Sequence, residues 1–115
     1  MEVKYSPEVR LGTTAFGLLA QATTTLRNVP QLKETKTVEA GWDAVQDDEG
    51  RTLYRLTLKD FTGAVFTDFS PDELKIPMHL HFRIHRLWGE LLQIRSEQLH
   101  QETKVLLAQM YAGQE

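Results

Sequence analysis

Residues 78–92 read Met78-His79-Leu80-His81-Phe82-Arg83-Ile84-His85-Arg86-Leu87-Trp88-Gly89-Glu90-Leu91-Leu92, and two periodicities compete for them. From Met78 to His85 apolar and polar residues alternate, as they do in a strand. Leu80, Ile84, Leu87, Trp88, Leu91 and Leu92 instead recur at helical spacing, and Leu99, Leu106 and Met110 extend that stripe. A strand running into a helix needs a turn residue between Phe82 and Trp88, and none stands there. One long helix over 78–111 is therefore expected, with a fourth strand at 78–85 as the alternative. Gly89 inside that helix costs about 1 kcal/mol relative to alanine, which suggests a close approach of another backbone.

Upstream the period is two. Val38, Ala40, Trp42 and Ala44 alternate with Glu39, Gly41, Asp43 and Val45. After the turn Asp47-Asp48-Glu49-Gly50, a second alternation places Thr52, Tyr54, Leu56 and Leu58 on one face. A three-residue loop with Gly50 left-handed sets Asp47 opposite Arg51. Trp42 then meets Leu56, Ala44 meets Tyr54 and Ala40 meets Leu58, while Asp43 faces Arg55 and Glu39 faces Lys59. A two-residue loop would set Trp42 against Arg55, so both apolar and charge matching favour the first register.

Asp60-Phe61-Thr62-Gly63 is a second turn, leading to a third strand over 64–69. Its inward residues are expected to be Val65, Thr67 and Phe69, since the other face would bury Asp68. Ser70-Pro71-Asp72-Glu73 combines a capping box with proline at the first helical position and starts a short helical turn that Pro77 ends. At the other end, Ser6-Pro7-Glu8 starts a helix expected to reach Asn28 before Pro30. That helix carries Val9, Phe16, Leu19 and Leu26 on one stripe and Leu11, Ala15, Leu18, Ala22 and Val29 on another. Residues 31–36 read as a polar connector. The architecture expected is α+β: N-terminal helix, three-stranded antiparallel meander, short helical turn, long C-terminal helix.

The chain has 115 residues, expected to form a single globular domain over 1–115. Hydrophobic residues are 41%, which supports a core and argues against disorder. There is no cysteine, which excludes disulfides and thiol chemistry and fits a cytoplasmic setting. No apolar run is long enough for a membrane span. Net charge is −3, with 9 acidic and 3 basic side chains in residues 38–73, so no general attraction to nucleic acid or anionic lipid is expected.

Candidate chemistry is sparse. His81 and His85 stand one helical turn apart, the spacing of helical zinc ligands, but Phe82 occupies the place of the usual glutamate and Arg83 and Arg86 would repel a cation. With Arg55, Trp88 and the two arginines they form a candidate binding group, for a small ligand between sheet and C-terminal helix or for a nucleic acid. A solvated polar face is the simpler account of the same residues. No nucleophile elbow, phosphate loop or carboxylate pair stands out, so no catalytic residue, metal ligand or cofactor is assigned. The surplus of apolar helix surface, with Leu11, Phe16, Leu18 and Leu19 as candidate interface residues, favours a non-enzymatic interaction module, either a homodimer or docked on another protein.

Overall fold

The computed structural model describes residues 1–10, 13–29 and 37–112. In chain order it contains β1 (Glu2–Tyr5), α1 (Pro7–Arg10), α2 (Thr13–Arg27), β2 (Glu39–Gln46), β3 (Thr52–Asp60), β4 (Gly63–Phe69), α3 (Pro71–Leu74) and α4 (Pro77–Ala112). The arrangement is α+β. The strands form one sheet in the order β1-β2-β3-β4, with β2 to β4 an antiparallel meander and β1 added in parallel beside β2.

The hairpin follows its alternation. Trp42 pairs with Leu56, Ala44 with Tyr54, Ala40 with Leu58 and Asp43 with Arg55. Gly50 takes φ 79°, and Asp47 N donates to the Arg51 carbonyl at 3.0 Å, closing the loop. The Asp47 carboxylate accepts from the backbone N–H of Arg51 and of Glu49, which holds its pKa below the ordinary aspartate value. On β4, Phe69 is buried and Val65 packs on the core, while Phe66 is exposed. Ser70 caps α3 with both halves of the capping box in place and Pro71 just inside.

Residues 78–85 are helical, not a fourth strand. A strand would put Met78, Leu80, Phe82 and Ile84 on one face. The structure buries Leu80 and Ile84 and leaves Met78 79% and Phe82 69% exposed, which is helical sorting. Pro77, at the first position, opens α4 as well as closing the turn before it. The fourth strand is β1, where Glu2 pairs with Glu39 and Tyr5 with Trp42. A parallel neighbour needs a long crossover, and the stretch containing α1 and α2 supplies it. The N-terminal helix starts at Pro7 as expected, but Gly12 and Leu11 lie outside the described residues, as does the 31–36 connector. Among the described residues no backbone approaches Gly89, contrary to the expectation from its place in the helix.

The core lies between the helices and one sheet face. Trp42, Leu56, Leu58 and Phe69 from the strands meet Leu19, Leu26, Ile84, Leu87 and Leu91 from the helices. Each such side chain contributes about 1.5–3 kcal/mol by leaving water. One polar group sits among them. The Thr23 hydroxyl donates to the Leu19 carbonyl at 2.8 Å and accepts from Trp42 Nε1 at 3.0 Å, with Tyr5 Oη 2.8 Å away. Its buried partners are therefore satisfied.

Candidate functional site

Arg55 and the histidines are not brought together. Tyr54 and Leu56 of β3 face the core, so Arg55 between them projects from the opposite, outer face of the sheet. There its guanidinium makes two hydrogen bonds to Asp68, at 2.8 and 3.1 Å, and covers the Phe66 ring at 4.1 Å. His81 and His85 sit on α4, ring centroids 4.4 Å apart and edge to face. Among the described residues no three His, Cys, Asp or Glu groups are placed to hold a metal ion.

Arg83 ties α4 to the sheet. It donates to Glu73 Oε2 at 2.6 Å, to the Asp68 carbonyl at 2.6 Å and to the Thr67 hydroxyl, with its guanidinium 4.3 Å from the Phe69 ring. The Glu73 carboxylate also accepts from Ser70 N, and that bond, with the charge of Arg83, keeps its pKa below the usual glutamate range. Arg86 is exposed and reaches Glu90 at 3.7 Å. A shallow depression of about 250 Å³ runs between β4 and α4, with Phe66, Arg83, Arg86 and Glu90 on its walls. Trp88 is 7% exposed, so its ring is not offered for stacking, and its indole N–H is buried with no hydrogen-bond partner among the described residues.

A second clamp sits where α4 leaves the body. Arg95 donates twice to Asp60 Oδ2, at 3.1 and 2.6 Å, across 35 positions of sequence. The Asp60 side chain is wholly buried. Burial pushes its carboxyl up, but the bonds from Thr62 and Arg95 outweigh this and hold it below the usual aspartate value. Alongside, Gly63 lets the Ile94 side chain close on β4: a Cβ there would stand 3.2 Å from Ile94 Cγ2. Nothing local in the sequence marks either clamp, because each joins distant segments.

Beyond Arg95 no described part of the chain covers the helix. α4 has 36 residues, about 54 Å at 1.5 Å per residue, in a molecule whose long dimension is 65 Å. From Ser96 to Met110 every residue is exposed except the half-buried Gln98. Leu99, Val105, Leu106, Leu107 and Met110 are 55, 56, 60, 47 and 64% exposed. The candidate interface residues at the other end fare differently. Leu19 is fully buried in the chain's own core, and Leu18 packs against that core. Phe16 is 40% exposed and leans on Tyr5 at 5.1 Å between ring centroids. Leu11 lies outside the described residues.

No protein-family model, curated protein or solved structure matches the chain. Among the described residues no helix is long and apolar enough to cross a membrane.

Proposed function

We propose that this chain is a protein-interaction module that docks through the free half of α4, with no catalytic step of its own. The observation that carries this reading is the exposure of Leu99, Val105, Leu106, Leu107 and Met110 on a helix that has left its core. Isolated helices of this length are marginal in water, because most helical stability in proteins comes from packing an apolar face. A partner helix or groove supplies that packing, and large exposed apolar surface is the usual mark of such a site. The rival readings, a small ligand or a nucleic acid held by the histidines and arginines, have less to draw on. Arg83 is engaged with three groups of its own chain, Arg55 is on the far face of the sheet and Trp88 is buried. The cysteine-free sequence suits a reducing, cytoplasmic setting.

The test is a photo-crosslinking residue at Leu107, with the same residue at Lys59 on the outer sheet face as control. The expected result is a defined adduct, identified by mass spectrometry, from position 107 only and lost in the Leu99→Lys/Leu106→Lys variant. Absence of an adduct at 107, or equal labelling at 59, overturns the reading.

A further inference from the structure

The exposed stripe has a period that a globular core does not require. Leu92, Leu99 and Leu106 are spaced by seven, and Ser96, Thr103 and Met110 fall four residues after each. That is the seam of a heptad repeat, leucines at one core position and small or flexible residues at the other. A strict seven-residue spacing keeps a stripe facing a second helix as the two supercoil. In projection the seam lies roughly a quarter-turn round the helix from the face that packs on the sheet. Leu91 is fully buried against the body while Leu92, next to it, is 40% exposed. A helix laid along the seam therefore need not displace the body.

Thr103, a polar residue of the seam, tolerates burial. The Thr103 hydroxyl donates to the Leu99 carbonyl at 2.9 Å, so covering it strands no donor. The charges choose the partner. Residues 96–112 carry only Glu97, Glu102 and Lys104, with no block of one sign to select an oppositely charged protein. Arg95, flanking the seam, is already held by Asp60. When two copies lie parallel and in register, Glu102 comes beside the partner copy's Leu107 and Arg95 beside its His100, and no like charges meet. In the fully overlapping antiparallel arrangement Glu102 meets its own copy, which is repulsive.

Resting on the interaction-module reading, we infer that the partner is a second copy of this chain, its α4 parallel and in register along Leu92, Leu99 and Leu106. Ser96 and Thr103 in the seam fix the register and hold the affinity to a modest level. Two globular bodies then sit at one end of a short two-helix stalk, related by a two-fold axis.

Sedimentation equilibrium of the purified full chain from micromolar to several hundred micromolar tests the pairing. The expected result is a monomer–dimer equilibrium that the Leu99→Lys/Leu106→Lys variant shifts at least tenfold toward monomer, with an unchanged near-ultraviolet spectrum of Trp42 and Trp88. Ser96→Cys tests the orientation, since the chain has no other cysteine. Facing copies should oxidise to a disulfide-linked dimer; antiparallel copies would hold the two thiols about 15 Å apart along the axis. Gln101→Cys, on the far side of the helix, should not link. A monomer throughout overturns the inference, as does a dimer that ignores the double lysine variant or fails to link at Ser96→Cys. A monomer that still forms the Leu107 adduct in cells sinks only the second-copy assignment; no adduct and no dimer sinks the interaction module too.

Discussion

Replacing Arg95 by methionine separates the charge of the second clamp from its packing. Methionine keeps an apolar stem of similar length and removes the guanidinium. Asp60 would then be wholly buried with only the Thr62 N–H and hydroxyl as donors. Stripping one partner from a buried pair costs roughly 3–5 kcal/mol. The Arg95 side chain is 25% exposed, which places the loss at the low end, about 3 kcal/mol. That is a large part of the ~5–15 kcal/mol typical of a domain and lowers Tm by about 10 °C. Urea denaturation reads the loss directly. Because the Asp60 carboxyl is held below its usual value, the clamp stabilises fully above the unfolded aspartate pKa and is lost as pH falls through the folded one. In Arg95→Met only the Thr62 bonds oppose burial, so that carboxyl lies higher than in the parent and the gap between the two narrows as pH falls through the aspartate range. Adding Asp60→Asn should recover part of the loss, with a coupling of about 2 kcal/mol. A loss under ~1 kcal/mol, or a gap that does not change with pH, would show that the guanidinium does not carry the Asp60 charge.

Two further outcomes follow from single contacts. Thr23→Val leaves Trp42 Nε1 without its acceptor and should cost about 1–3 kcal/mol, whereas Thr23→Ser keeps the hydroxyl and costs less; equal losses in urea melts would remove the hydrogen bond from the account. Gly50→Ala forces a side chain into φ 79° and should cost about 1–2 kcal/mol, while Gly41→Ala, with open space around it, should not destabilise; the same loss at both would mean that the turn conformation is not what requires glycine.

The free half of α4 was legible as a stripe and illegible as a site. Leu92, Leu99 and Leu106 stand in the sequence at helical spacing, but so do Leu80, Ile84, Leu87 and Leu91, and one string of leucines does not say which will meet a sheet. The body ends where Arg95 reaches Asp60, a distance of 35 positions that no local pattern encodes. On the N-terminal helix the ambiguity ran the other way. Its stripes suggested an external seam, and Leu19 proved to be interior, part of the core that the helices and the sheet share.

Local chemistry by itself determined the parts whose alternatives are expensive within a few residues. The register of β2 on β3 followed from Gly50 and from matching Trp42 with Leu56, since a slip by one residue would turn every apolar side chain to the wrong face. The capping box at Ser70 and the helix over 77–112 followed likewise from turn chemistry and from the lack of a break between Phe82 and Trp88. Tertiary structure alone decided what long-range partners supply. β1 is four residues, too short to show a period, and exists because β2 offers it an edge. Arg83 and Arg95 became clamps because folding placed Glu73 and Asp60 within reach. The free end of α4 stayed exposed for the plainest reason, that a small sheet runs out before a 36-residue helix does.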